Sequence, residues 1–273
     1  MLSPLAEQKK EEDSMLGAIA GDIIGSRFEA WPCKGKDFEL LTPQSRFTDD
    51  SVLTVAVAES LMEGIPFWQN LKTYFRRYPL AGYGGSFAVW AASDSSQPYS
   101  SFGNGSAMRV SPVGWLCHQE DQVLAQAEQS AAATHNHPEG IKGAQAVAQA
   151  VFLARNGRSK EAIRRVIQTR FNYDLSRTLE AIRPGYSFDV TCQGSVPEAL
   201  IAFFEADDYE DAVRNAVSLG GDSDTQACIA GGVAEAFFGG VPEPIALEAL
   251  KRLDDHLRHR VQRFRRHVHG DET

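Results

Sequence analysis

The sequence predicts an all-α protein, a compact bundle of orthogonally packed helices. Three observations carry that expectation. Apolar residues recur at the three- and four-residue spacing of a helix face along most of the 273 residues. Alternating apolar–polar strand signals are almost absent. The stretches between helical patterns are short, and amphipathic helices joined by short loops must bury their apolar faces against one another. With 43% hydrophobic and 10% aromatic residues, the chain can enclose one core, which sets a single domain over 15–268.

Residues 1–14, with Glu7, Lys9, Lys10, Glu11, Glu12 and Asp13, read as a charged, solvated leader. Disorder is favoured there over a docking segment for a target protein. From Met15 to Gly25 the text turns apolar and small, and Gly and Ala at three- and four-residue spacing predict a helix packed closely in the core. A second helix opens at Asp49-Asp50-Ser51, where acids and hydroxyls suit free amides and the positive end of the dipole. A third spans 66–79, around Phe67, Leu71, Tyr74 and Phe75. The segment 80–114 is rich in Gly, Ser, Asn and Pro and reads as functional loops around a short helix. Helical patterns return over 121–133, 137–156, 159–168, 174–182, 196–204, 208–218, 224–238 and 243–258. The basic run Arg258 to His269 reads as a solvated helix end or tail.

The net charge of −9 argues against nucleic acid, whose binders cluster Lys and Arg. An acidic protein that handles an anionic substrate must gather positive charge locally, from a few side chains or bound cations. Cys33, Cys117, Cys192 and Cys228 lack paired spacing, which disfavours zinc ribbons and disulfide scaffolds and favours reduced thiols. No signal-peptide pattern and no apolar run of ~20 residues occurs, so the expected location is cytoplasmic, away from membranes.

Two acidic clusters carry the chemistry: Phe47-Thr48-Asp49-Asp50-Ser51 and Gly220-Gly221-Asp222-Ser223-Asp224-Thr225. Either alone reads as ordinary helix capping. Together they offer carboxylates and hydroxyls without histidine or thiol, a donor set for Mg²⁺ or Mn²⁺ rather than zinc. Asp22, within an apolar helix, needs a partner, because a buried unpaired charge is costly. It either orients a metal ligand from behind or makes a helix-packing hydrogen bond.

The blocks GAIAGDIIGSRFE, FTDDS, GNGSAMR, TH and GGDSDTQACIAGG, in this order from about Gly17 to Gly239, closely resemble the ADP-ribosylglycohydrolase family. The resemblance implies that family's all-α, compact helical fold with two Mg²⁺ (or Mn²⁺) ions. It implies Thr48, Asp49, Asp50, Asp222, Asp224 and Thr225 as metal ligands, and Glu29 as a loop carboxylate that reaches a metal or gates substrate entry. Gly103-Asn104-Gly105 through Met108 match the loop around the diphosphate and distal ribose, Gly84, Gly85 and Ser86 add to a phosphate cradle, and His135 lines the cleft. His137 is the weaker candidate beside it. Phe102 and Tyr83 are candidates to stack on adenine. Arg109 either contacts phosphate or, the favoured reading, braces an internal carboxylate.

The implied reaction is hydrolysis of the bond between the anomeric ribose carbon and an acceptor, with Glu29, Asp50 and Asp224 as catalytic carboxylates; Asp50 and Asp224 compete for the proton-transfer role. The substrate is expected to be an ADP-ribosylated protein or a small ADP-ribose conjugate, with arginine as leading acceptor. The alternatives are an O-linked substrate, such as ADP-ribosylserine or O-acetyl-ADP-ribose, and a non-catalytic ADP-ribose-binding module. A monomer is the expected state.

Overall fold

The structure is a computed structural model that describes residues 14–270. The leader therefore lies outside the described residues, apart from Ser14, which is buried. Fifteen helices and no strand occur among the described residues, so the fold is all-α, as the periodicity predicts.

The centre of the bundle is α13 (Ser223–Phe238), buried along nearly its whole length. Against it lies α1 (Leu16–Gly25), and small residues let the two backbones nearly touch. A Cβ on Gly21 would fall 2.1 Å from the Ala227 carbonyl oxygen, and one on Gly25 would fall 2.4 Å from that of Ser223. Only glycine fits at these two positions. The contact sets the C-terminal half of α1, and so Asp22, beside the N-terminus of α13. The first acidic cluster, Thr48-Asp49-Asp50, starts α2 (Asp49–Glu63), which packs against α1 and buries Val52, Val55 and Ala56. Thus three helix ends meet at one place.

Around this centre the chain adds α3 (Phe67–Arg77), α7 (Glu120–Ala132), α8 (Pro138–Arg155), α9 (Lys160–Phe171) and α12 (Tyr209–Val217), close to the predicted ranges. Several elements differ from expectation for local reasons. The region 80–114 holds three short helices, α4 (Gly85–Ala92), α5 (Gly105–Met108) and α6 (Ser111–Leu116). Only α10 (Leu179–Ile182) forms within 174–182, because the Asp174 carboxylate accepts bonds from Ser176 N and Oγ and holds a turn before Thr178 caps the helix. Helix α11 (Cys192–Phe204) starts earlier than predicted, capped by Thr191, with Pro197 inside it.

The span 243–258 divides into α14 (Glu243–Arg252) and α15 (Asp255–His269). Leu253 is extended and Asp254 accepts from Leu257 N at 2.8 Å, which starts the new helix. The basic run is therefore not a tail. It is one face of α15, whose other face buries Leu257, Val261 and Phe264, while Arg260 pairs with Glu59 of α2 at 2.9 Å.

Candidate active site

The acidic cluster after Phe47 is built by mutual capping. Thr48 is extended and its hydroxyl accepts from Asp50 N at 3.3 Å. Asp22 reaches across from α1 and both its oxygens are used. Oδ1 accepts from Thr48 Oγ1 at 2.6 Å, and Oδ2 accepts from Thr48 N at 2.9 Å, Ser51 N at 3.1 Å and the Ser51 hydroxyl. Asp22 is thus an inter-helix brace that sets the start of α2. Asp49 N donates to Ala81 O at 2.8 Å, tying the same helix start to the loop before α4.

The other cluster is assembled by a different device. Gly220 takes a left-handed φ of 64°, which turns the chain into Asp222. Asp222 starts α13 without capping it through its side chain; its Oδ2 instead accepts from Asn104 Nδ2 at 2.7 Å. Asp224 Oδ1 accepts from Thr225 N at 3.0 Å.

The ends of α1, α2 and α13 bring these carboxylates into two groups sharing Asp224. Oxygens of Asp22, Asp50 and Asp224 lie within 4.8 Å of one another, as do oxygens of Glu29, Asp222 and Asp224. Burial, then neighbouring carboxylates, raise the affinity of Asp50 and Asp224 for protons well above the ordinary range. Burial, followed by the charge of Asp22, pushes the half-buried Asp49 up to about 8. Glu29 is raised too, by burial and then by Asp222. Asp50 Oδ1 is buried and has no hydrogen-bond partner. An oxygen-only set of crowded carboxylates with an orphaned acceptor is the environment a hard divalent cation stabilises, so the residues fit that group.

These side chains line one cleft of about 430 Å³. Glu29, Thr48, Asp49, Asp50, Asp222, Asp224 and Thr225 border it together with Gly84, Gly85, Ser86, Gly103, Asn104, Gly105, Met108 and His135. Asp22 lies behind that surface. Phe102 does not border the cleft; its ring packs 5.3 Å from that of His137, and the His137 side chain accepts from Glu139 N as the cap of α8. Tyr83 stacks on Phe87 with ring centres 5.2 Å apart and does not border the cleft either.

The glycine loop is held to the segment before α11 by Asn104 N donating to Val190 O at 2.7 Å and Cys192 N donating to Phe102 O at 2.9 Å. That pairing brings Phe188 and Val190 to the cleft wall, where no sequence motif marks them. Arg46, Gly82, Tyr99 and Ser101 also border it. Arg46 directly precedes Phe47-Thr48, and Tyr99 and Ser101 flank the glycine loop, so adjacency to the motifs was the available signal.

Arg109 is fully buried, and its partners are not the expected carboxylate. Its Nη2 donates to Ser130 O at 2.9 Å and Thr134 Oγ1 at 2.8 Å, while Nε and Nη1 have no partner. Thr134 Oγ1 in turn lies 2.6 Å from His135 Nδ1. With the hydroxyl receiving from Arg109, its own proton goes to Nδ1, and the imidazole carries its hydrogen on Nε2. Burial, then the Arg109 charge, holds His135 well below its ordinary pKa and therefore neutral. A Cβ on Gly105 would sit 3.3 Å from Nε2, which places that donor against the glycine loop.

The family model for ADP-ribosylglycohydrolase matches residues 6–272. The chain is 28% identical to an uncharacterized protein of Archaeoglobus fulgidus, covering 89% of this chain and 92% of the other. It is 24% identical to human ADP-ribosylhydrolase ARH3, over 82% and 84% of the two chains. It is 23% identical to the ADP-ribosylarginine hydrolase Tri1 of Serratia proteamaculans, over 86% and 74%. A solved structure described as an ADP-ribosylglycohydrolase-related protein complex superposes with a TM-score of 0.73 at 26% identity, covering 96% and 99%. Matched along nearly its whole length, the chain belongs to the ADP-ribosylglycohydrolase family.

Proposed function

We propose that this protein is a metal-dependent hydrolase that releases ADP-ribose from ADP-ribosylated arginine in proteins, and that it holds two Mg²⁺ or Mn²⁺ ions. The observation that carries the reading is the carboxylate cluster with its orphaned Asp50 Oδ1, set in the same cleft as the buried cation Arg109 and the neutral donor His135. Thr48, Asp49, Asp50, Asp222, Asp224 and Thr225 would hold the ions, with Glu29 able to join them from its loop. The ions supply positive charge and Lewis acidity toward the hydroxyls of the ribose.

The chain's own residues account for the rest. Gly84 and Gly85 face open space where a Cβ would stand, leaving room for a diphosphate against the backbone. Elsewhere in the cleft, His135 Nε2–H beside Gly105, with the buried charge of Arg109 behind it, favours an anion. Phe188 and Val190 offer the adenine an apolar wall. Asp50 and Asp224, whose affinity for protons burial raises, are the candidates for taking the proton from the attacking water once bound cations hold them ionised. Asp22 is a positioning residue that orients Thr48. The protein is proposed to act as a cytoplasmic monomer, in line with its four free cysteines.

One observation favours a second reading. Arg46 is exposed at the cleft, where its charge offsets part of the upward push that burial and Asp222 give the Glu29 carboxyl, and it would repel an acceptor guanidinium. A neutral O-linked acceptor such as ADP-ribosylserine, or O-acetyl-ADP-ribose, avoids that charge. Incubation with arginine- and serine-modified peptides and O-acetyl-ADP-ribose, with Mg²⁺, Mn²⁺ or excess chelator, tests both. Release from the arginine peptide alone supports the first reading, and release from the O-linked substrates alone supports the second. Turnover that survives exhaustive chelation refutes the metal-dependent mechanism, and tight ADP-ribose binding without turnover of any substrate leaves a binding module.

A further inference from the structure

Segment 26–47, which carries Glu29 between α1 and α2, contains a lysine with an uncommon set of partners. Lys34 Nζ donates to three main-chain carbonyls, those of Arg183 at 2.9 Å, Tyr186 at 2.5 Å and Leu219 at 2.5 Å. An ammonium has three protons, so its capacity is filled without any carboxylate. Arg183 and Tyr186 follow the C-terminus of α10, and Leu219 follows that of α12. Carbonyls at two helix C-termini converge here, each carrying partial negative charge, and one cation satisfies both.

The position of those carbonyls matters more than their number. Leu219 is followed by Gly220 and Gly221, the turn that delivers Asp222 and Asp224 to the cleft. The stem of Lys34 packs on that turn, since a Cβ on Gly220 would meet Lys34 Cε at 3.0 Å. Tyr186 stands two residues before Phe188 of the cleft wall, and its hydroxyl is 2.9 Å from Gln226 Nε2 on α13. The loop with Glu29, the wall with Phe188 and the turn with Asp222 are separate in sequence, and Lys34 joins all three.

We infer that Lys34 is a positioning residue, a main-chain clamp that fixes the Asp222–Asp224 turn and the Phe188 wall relative to the Glu29 loop. The link from this clamp to metal affinity rests on the metal-dependent reading above; the clamp itself does not. The same loop has other anchors: Lys36 pairs with Asp211, and Arg214 Nη1 donates to Lys36 O at 2.8 Å and Phe38 O at 2.7 Å. Losing Lys34 therefore leaves the loop on α12 and frees the turn.

The test compares Lys34→Met with Lys36→Met, a neighbour whose ion pair lies away from the turn. The first readout is amide hydrogen exchange in chelator-treated protein. Segments 183–190 and 219–224 should exchange on the order of ten-fold faster in Lys34→Met and at the wild-type rate in Lys36→Met. The second readout is Mn²⁺ titration, in which Lys34→Met should bind about 10–100-fold more weakly and Lys36→Met like wild type. Wild-type exchange in both segments of Lys34→Met overturns the clamp, and so does equal acceleration in both variants. Accelerated exchange with unchanged Mn²⁺ affinity overturns its role in placing Asp222 and Asp224. Wild-type protein that binds no Mn²⁺ refutes the functional reading, while the exchange comparison still decides the clamp. Should Lys34→Met fail to fold, Lys34→Arg keeps the charge with a planar fork that cannot meet three converging carbonyls, and it should show the same acceleration.

Discussion

Replacing Asp49 with asparagine should make the metal-free protein more stable while removing its response to metal. The carboxyl of Asp49 is pushed from 3.8 to about 8, first by burial and next by Asp22. In the unfolded chain it ionises near pH 4, whereas in the folded, metal-free protein it keeps its proton until about pH 8. A raised carboxyl leaves stability fully present below pH 4 and removes it as the pH climbs through 8. At pH 8 the gap is about four pH units, or roughly 5 kcal/mol at most, and about 2 kcal/mol after allowing for partial exposure. Asparagine keeps the shape and the main-chain bond to Ala81 without the charge. Metal-free Asp49→Asn should therefore melt about 4–8 °C above wild type at pH 8, with no difference at pH 4. Mn²⁺ at a hundred times its dissociation constant adds about 2.7 kcal/mol to wild type and should add little to the variant. Thermal melts at both pH values, with chelator and with Mn²⁺, make the comparison. If the variant melts below wild type in chelator at pH 8, or retains the full Mn²⁺ shift, Asp49 does not sit in a metal-demanding acidic cluster.

Other perturbations separate structure from chemistry. Asp224→Ala should abolish ADP-ribose release, measured as free product, while the circular dichroism spectrum stays that of wild type. Thr134→Val removes the hydroxyl that sets the His135 tautomer; we expect KM for the ADP-ribosylated substrate to rise about ten-fold, the loss of one charge-assisted contact, with kcat changing less. A rise confined to kcat would exclude that contact. Gly21→Val drives a side chain into the Ala227 carbonyl and should cost more than about 3 kcal/mol; a denaturant midpoint near wild type would mean that α1 and α13 are not in contact. Asp22→Ala strands four donors from Thr48 and Ser51 and should cost about 3–5 kcal/mol even without metal.

The helices were legible wherever amphipathic spacing and caps agree, as in α8 and α12, and less so where side chains rewrite the local backbone. Asp174 and Asp254 each have a carboxylate that captures nearby amides, and an apolar count does not see this. Within the site, the acid clusters and the glycine loop announce themselves through residue type. Phe188 and Val190 do not, because they reach the cleft only through main-chain pairing with residues about 85 positions earlier. Arg109 misleads for a related reason. A buried arginine suggests a carboxylate, but here a carbonyl and a hydroxyl receive it.

The meeting of α1 with α13 also bears on the order of events during folding. Gly21 and Ala227 are about 200 residues apart in sequence, and closing so long a loop is slow. The carboxylates converge only after that closure, so cations have no binding place in the earlier stages of folding. Mn²⁺ should then slow unfolding and leave the refolding rate unchanged, acting as a latch on a finished molecule rather than a nucleus for an unfinished one.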